Sequence, residues 1–172
     1  MSSELTKPEP FPSSLGPFEQ LRLAREIIST EANALTNLAG NLPKTFVEAV
    51  TAVSQCQGNL IVIGMGKAGL IGQKLVATFA STGTPAHFLH PAEAVHGDLG
   101  RVQSRDVVLL MSYSGETEEV TRLLSSLAEL NVTTIAMTST STSTLASQSH
   151  IVLEHGEMTE AGTLQLAPST ST

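Results

Sequence analysis

Residues 61–72, IVIGMGKAGLIG, carry an apolar run into a glycine-rich turn and then into a helix-like segment. The run ending at Ile63 has the β-branched composition of a buried strand, and Ala68–Ser81 has the composition of a helix. Between them, Gly64, Gly66 and Gly69 match G-x-G-x-x-G, a turn in which backbone N–H groups at a helix N-terminus hold a phosphate. The stretch predicts an α/β fold with an anion site. The phosphate could belong to a dinucleotide, a nucleoside triphosphate or a small sugar.

For both the dinucleotide and the triphosphate alternatives, the sequence lacks residues that such a site needs. A dinucleotide site places an acidic residue at the end of the second strand, but that predicted strand ends at Leu89-His90 and the next carboxylate is Glu93. A triphosphate loop reads G-x-x-x-x-G-K-[ST], whereas Ile61 replaces its first glycine and Ala68 follows Lys67. Lys67 remains as a positive charge beside the anion site, with a solvated surface lysine as its alternative role.

Composition excludes several classes of protein. The 172 residues suit one α/β domain, and a formal net charge of −7 without a basic run argues against nucleic-acid or membrane partners. Cys56 is the only cysteine, so no internal disulfide can form. We find no signal peptide and no apolar run of about 18 residues. The cytoplasm is the expected location.

Strand and helix patterns alternate along most of the chain. Residues 1–17 contain several prolines and are expected to be a disordered lead-in to a domain over 18–172. A helix from Phe18 to about Leu42 and a second one near Pro43, capped by Asn41, would cover the core or form a dimer surface. The second is expected to bury Phe46, Val50 and Val53.

The remaining elements predict a three-layer open parallel sheet of about five strands with helices on both faces. The expected strands are Leu60–Ile63, Pro85–Leu89, Val107–Met111, Val132–Met137 and Ile151–Leu153. The expected helices are Ala68–Ser81, Glu116–Leu130 and a short one near Leu145, and the segment from Leu89 to Arg105 is expected to be an irregular loop. Ligands of such sheets bind outside the carboxyl ends of the strands.

Two further turns at this edge carry polar side chains. The loop 90–100 holds two histidines and two carboxylates, of which His96, between Val95 and Gly97-Asp98, is the candidate for acid–base chemistry. A metal site there lacks support from ligand spacing, so neither a metal nor a cofactor is expected. The turn SYSGET, 112–117, offers hydroxyls at a helix N-terminus, which suits an anion or an ordinary helix cap.

The segments 64–100, 112–120 and 162–172 resemble the D-arabinose 5-phosphate isomerases, which carry a sugar isomerase (SIS) domain. The resemblance covers about residues 20–172 and implies a flavodoxin-like SIS fold. It also implies interconversion of D-ribulose 5-phosphate and D-arabinose 5-phosphate, through an enediol, for synthesis of the lipopolysaccharide sugar Kdo. It implies a homodimer or homotetramer as well.

The resemblance also implies residue roles. Lys67, His96, Glu119 and Glu160 match the family's catalytic lysine, loop histidine and two acid–base glutamates. The phosphate-binding positions it implies are Gly66, Ser112, Ser114, Thr117, Ser169, Thr170, Ser171 and Thr172. Tyr113 stands where many relatives have Asn.

The chain departs from the family at its carboxyl end. Relatives continue with a helix, an H-P-G-G-x-L-G-R segment and often a pair of CBS domains, so we expect a chain truncated before these parts. Two alternatives stay open: another SIS enzyme, such as a hexulose-phosphate isomerase, and a non-catalytic sugar-phosphate-binding module.

Overall fold

The computed structural model describes residues 15–162 and 169–171, and its strands form one parallel sheet in the order β2-β1-β3-β4-β5. The strands are β1 (Leu60–Gly64), β2 (Ala86–Leu89), β3 (Val107–Met111), β4 (Thr133–Thr138) and β5 (Ile151–Glu154). The helices are α1 (Pro17–Gly40), α2 (Thr45–Ser54), α3 (Gly66–Ser81), α4 (Pro91–Val95), α5 (Glu118–Thr121), α6 (Leu124–Glu129) and α7 (Thr144–Ser147), with a 3-10 helix at Asp98–Arg101. This order is that of a flavodoxin-like sheet, which confirms the predicted fold class.

The sheet separates two hydrophobic clusters because successive strand residues point to opposite faces. On one face, Ile61 and Ile63 pack with α6 residues such as Leu127. On the other face, Leu60 and Val62 pack with residues of α2 and α3. The three layers predicted from the alternating pattern are therefore present, with both faces of the sheet covered by helices.

A buried carboxylate holds the amino edge of the sheet together. Asp106, which is 3% exposed, accepts hydrogen bonds of 2.8 Å from the backbone N–H groups of Asn59 and Gln103. Asn59 precedes β1 and Asp106 precedes β3, so this side chain joins the starts of the two central strands. Cys56 lies at the same edge, partly buried, with its thiol 3.5 Å from the Arg105 carbonyl oxygen.

The first two helices differ from the prediction. None of the α1 residues is buried, so of the two alternatives for α1, core cover and a dimer surface, the structure does not support core cover. Asn41 ends α1 rather than capping α2, whose N-cap is Lys44. In α2 the buried residue is Ala49; Val53 is partly buried against the core, but Phe46 and Val50 are exposed.

Two later segments also differ from the prediction: one is more structured than expected and the other is less regular. The segment after β2 contains α4 and the 3-10 helix instead of an irregular loop, and the His90 side chain caps α4 by accepting from the Ala92 N–H. The helix expected over Glu116–Leu130 is divided into α5 and α6. At the division the Leu123 N–H donates to Val120, three residues back, so the turn is tighter than α-helical.

Within the described residues, no helix combines the length and apolar character needed to cross a membrane.

Candidate active site

A cleft of about 420 Å³ opens at the carboxyl edge of β1 and β3, the point at which the strand order reverses. Loops leave these two neighbouring strands toward opposite faces of the sheet, and ligands of open parallel sheets bind in the resulting crevice. The residues lining the cleft are Met65, Lys67, Ala68, Met111, Ser112, Tyr113, Ser114, Thr117, Met137, His155, Glu160 and Ser171. They come from the ends of β3 and β4, from the start of α3 and from the segments that follow β3 and β5, so the site is assembled by the topology of the sheet.

The glycine turn after β1 forms one wall of the cleft. The third glycine of the motif, Gly69, is required by packing because a Cβ there would lie 2.7 Å from the carbonyl oxygen of Gly64. The resulting close approach brings the N-terminus of α3 to the end of β1. Lys67, in the first turn of α3, is exposed and forms no ion pair within the part of the chain that the structure describes. The N-terminus of α3 and the Lys67 side chain together give this wall of the cleft a positive potential.

The turn after β3 forms the opposite wall. The hydroxyl of Ser112, a buried residue, lies 2.7 Å from that of Thr117 and accepts a 3.0 Å hydrogen bond from the Gly115 N–H. Ser114 is exposed, and its hydroxyl accepts from the Glu116 N–H at 3.2 Å. Three hydroxyls are thus held close to the cleft by bonds within their own turn, a geometry that suits an anionic oxygen.

The Glu116 side chain forms a structural hydrogen bond. Its carboxylate accepts a 2.7 Å hydrogen bond from the Thr144 N–H at the N-terminus of α7. This bond from the Thr144 backbone, supplemented by its side chain, lowers the pKa of Glu116. The carboxylate therefore links the turn after β3 to the segment after β4.

Glu160 collects hydrogen bonds from a short segment near the end of the chain. Its carboxylate accepts from the Ser169 N–H at 2.7 Å, from the Thr170 N–H at 2.9 Å and from the Ser171 hydroxyl. The Ser169 hydroxyl adds a contact of 3.3 Å. The donors to which the family resemblance assigns a phosphate are therefore directed at a carboxylate of the chain itself.

This network sets the charge state of Glu160. Partial burial acts to raise its pKa, but the bonds from Ser169, Ser171 and Thr170 outweigh that effect and lower the pKa to about 2. A carboxylate stabilised in this way is ionised at neutral pH and is a weak proton acceptor. In the arrangement described, Glu160 orders the 169–171 segment.

The structure brings most of the predicted site residues, but not all of them, to one place. Lys67, Ser112, Ser114, Thr117, Glu160 and Ser171 line the cleft, and Ser169 and Thr170 line an adjoining cavity of about 460 Å³ that Ser171 shares. The structure does not bring His96 and Glu119 to the cleft: His96 ends α4 and Glu119 lies in the first turn of α5, both exposed. Gly66 lies in the glycine turn with a positive φ of 58°, and Thr172 lies outside the described residues.

Two kinds of lining residue were missed by the sequence reasoning. Met111 and Met137 form an apolar floor, and both also belong to the core on the α2–α3 face. His155 stacks on Tyr113 at one side of the cleft, with ring centroids 5.4 Å apart. The signal that could have indicated His155 is its position directly after β5, at the edge where ligands bind.

Comparison with known proteins connects this geometry to a family. A family model described as "SIS domain" matches residues 54–172, which includes every strand of the sheet and every loop of the cleft. The first residue matched precedes β1, so α1 and most of α2 lie outside the match.

Individual relatives agree with the family match. The "Probable arabinose 5-phosphate isomerase" of Haemophilus influenzae is 47% identical over 151 residues, which are 88% of this chain and 45% of the relative. Arabinose 5-phosphate isomerase KpsF of Escherichia coli is 40% identical over 171 residues, 99% of this chain and 52% of the relative. The chain thus spans about half the length of these curated relatives.

A solved structure gives the same result in three dimensions. The Escherichia coli CFT073 protein c3406, in complex with arabinose 5-phosphate, superposes with a TM-score of 0.87 at 39% sequence identity, covering 91% of this chain and 84% of that one. Fold, family match and relatives together confirm the resemblance that the sequence carries. This chain belongs to the SIS-domain family.

Proposed function

We propose that this chain carries the sugar-phosphate site of an isomerase that interconverts D-ribulose 5-phosphate and D-arabinose 5-phosphate. The observation that supports this best is the cleft itself, where Lys67, the Ser112–Thr117 turn and Glu160 meet at the switch point of the sheet. The relatives named arabinose 5-phosphate isomerase and the structural neighbour that holds arabinose 5-phosphate support the choice of substrate.

The phosphate is assigned to the hydroxyl-rich side of the cleft. Ser112, Ser114 and Thr117 present hydroxyls from one turn, and Ser169–Ser171 present hydroxyls and N–H groups from another. Anchoring the phosphate there would orient the carbon end of the sugar for reaction. The 169–171 donors are directed at the Glu160 carboxylate, so a phosphate that uses them must displace it.

The chemistry is a proton transfer between adjacent carbons. A base removes a proton from C1 of ribulose 5-phosphate, the enediol forms, and a proton returns to C2 while the hydroxyl proton moves from O1 to O2. Lys67 would stabilise the negative charge that develops on these oxygens. On the family resemblance, Glu119, His96 and Glu160 are proposed as acid–base groups, each of which would typically contribute about 10²–10⁴-fold. Of the three, Glu160 lines the cleft, whereas Glu119 and His96 would have to reach it.

The assembly and location are also proposals. Leu21, Ile28 and Leu35 recur every seven residues on α1 and are all exposed, between 58% and 68%. Such a stripe is typical of a helix that packs against another helix. We therefore propose a homodimer or homotetramer in which α1 takes part, working in the cytoplasm on a small phosphorylated sugar.

Turnover of ribulose 5-phosphate tests the proposal. The purified chain should form arabinose 5-phosphate, and Lys67→Ala and Glu119→Gln should each lower kcat/KM by at least tenfold. Lys74→Ala is the matched control, since Lys74 lies two turns along α3, exposed and away from the cleft. Near-normal turnover in both site variants would contradict these roles. Faster turnover of a hexulose 6-phosphate than of ribulose 5-phosphate would show that the proposed substrate is wrong.

One observation favours a second candidate, a non-catalytic sugar-phosphate-binding module. His96 and Glu119 lie away from the cleft, and the low pKa of Glu160 makes it a weak base. Calorimetric binding of arabinose 5-phosphate without any turnover would favour this alternative.

A further inference from the structure

Tyr113 contacts two other segments of the carboxyl edge of the sheet. Its carbonyl oxygen accepts hydrogen bonds from the Ser139 N–H at 2.8 Å and from the Thr138 hydroxyl at 3.1 Å, at the end of β4. Its phenol oxygen accepts from the Met158 N–H at 3.0 Å, across 45 residues of sequence. Its ring lies against the imidazole of His155 at an interplanar angle of 35°.

The loop after β5 is also held by contacts of His155. The N–H of His155 donates to the Thr138 carbonyl at 3.1 Å. The His155 Nδ1 lies 2.9 Å from the Gly156 carbonyl oxygen; because a carbonyl only accepts, Nδ1 carries the proton and the ring orientation is defined. The imidazole and the Met158 N–H then face one side chain, Tyr113.

From this loop the contacts continue to the proposed phosphate donors. Met158 precedes Glu160 by two residues, and the Glu160 carboxylate accepts from the N–H groups of Ser169 and Thr170. The turn after β3 is therefore linked by the Tyr113–Met158 hydrogen bond, by two residues of chain and by the hydrogen bonds of Glu160 to the 169–171 segment. Tyr113, His155, Glu160 and Ser171 all line the same cleft.

We propose that Tyr113 is a positioning residue of this site, whose hydroxyl and ring hold the 155–160 loop and thereby place Glu160 and Ser169–Ser171. The link to a sugar phosphate rests on the proposed function, whereas the effect on the loop does not. Tyrosine suits this role because its rigid ring covers the imidazole while its polar tip is satisfied by a backbone donor.

Amide hydrogen exchange in the Tyr113→Phe variant tests the proposal. The variant keeps the ring and removes the acceptor of the Met158 N–H, so exchange at Met158 should become about fivefold faster, the factor expected for one neutral hydrogen bond. Exchange at Ser169 and Thr170 should also become faster, because their acceptor Glu160 is less well placed. Thr142→Val is the matched control: it removes a hydroxyl on the same edge that contacts Thr140 instead.

Binding separates this proposal from the proposed function. Tyr113→Phe should raise the Kd for arabinose 5-phosphate several-fold, because binding must then order the 155–160 loop and the 169–171 segment, a cost that we expect to exceed the gain from easier displacement of the Glu160 carboxylate. Thr142→Val should leave the Kd unchanged. If the unmodified chain binds no arabinose 5-phosphate, the proposed function fails and the exchange data still decide the role of Tyr113. Unchanged exchange at Met158 overturns the proposal. Faster exchange at Met158 alone, with Ser169, Thr170 and Kd unaffected, also overturns it, because Tyr113 would then be only a local contact.

Discussion

The carboxylate of Glu160 lies 2.7 Å from the backbone nitrogen of Ser169, nine residues further along the chain. The N–H of Thr170 and the hydroxyl of Ser171 point at the same carboxylate. Two segments to which the family resemblance assigns separate tasks, proton transfer and phosphate binding, are therefore joined directly.

This relationship predicts a pH-dependent contribution to stability. The pKa of Glu160 falls from 4.5 to about 2 on folding, so the folded chain binds this proton less tightly than the unfolded chain does. The stabilisation is fully present above about pH 4.5 and is lost as the pH falls through about 2. The difference in free energy of unfolding between the natural chain and Glu160→Gln should therefore shrink between pH 5 and pH 2. Urea titrations across this range measure it, and a constant difference would contradict the prediction.

Replacing Asp106 should destabilise the amino edge of the sheet. In Asp106→Ala the N–H groups of Asn59, which is partly buried, and Gln103, which is exposed, lose their buried acceptor; the loss of two hydrogen bonds should cost about 1–3 kcal/mol. Asp98→Ala is the control, since Asp98 forms an exposed ion pair with Arg101 at 3.5 Å and its loss should change stability by less than about 0.5 kcal/mol. Chemical denaturation measures both, and equal effects of the two variants would refute the role of Asp106.

Gly115 should not tolerate a side chain. Its φ is +67°, and a Cβ at this position would lie 2.2 Å from the Ser143 hydroxyl oxygen and 2.8 Å from that of Thr138. Gly115→Ala should therefore cost about 2 kcal/mol or more and weaken phosphosugar binding by disturbing the turn that carries Ser112. Gly100→Ala, where nothing lies within 4 Å of the added Cβ, is the control. Thermal melting measures the stability, and calorimetry measures the binding of the phosphosugar. A Gly115→Ala variant as stable as the natural chain would contradict the prediction, because the turn would then have relaxed around the added side chain.

The stripe on α1 predicts self-association. Replacing both Ile28 and Leu35 with Glu places charges on surfaces that are 64% and 68% exposed, so the folded chain should stay intact while association is lost. Thr36→Glu adds a charge at an exposed position beside the stripe and should leave association unchanged. Sedimentation equilibrium measures this, and a monomer at all concentrations before any substitution would contradict the proposed assembly.

Most of the sheet could be predicted because its strands are continuous apolar runs. Val107–Met111 was predicted to the residue, since all five side chains are buried between two helical layers. The helices on the surface were less predictable. The apolar residues of α1 have helical spacing, but spacing does not reveal whether the partner of a helix is its own core or another chain.

The site was partly predictable for a topological reason. Parallel strands place their following loops at one edge, so Lys67 and Ser114 were expected together and do line one cleft. The Tyr113–His155 stack was not predictable, because contacts between loops depend on side-chain orientations that no periodicity encodes. The positions of His96 and Glu119 depend on where α4 ends and α5 begins, and helix ends are the least predictable features of a sequence.

The floor of the cleft has a consequence for how this scaffold can diversify. Met111 and Met137 belong at once to the packed interior and to the ligand surface, whereas the polar walls come from segments that follow the strands. Substitutions in the walls can therefore alter which ligand is accepted while the interior stays intact. Substitutions in the two methionines couple ligand preference to the folding of the whole domain.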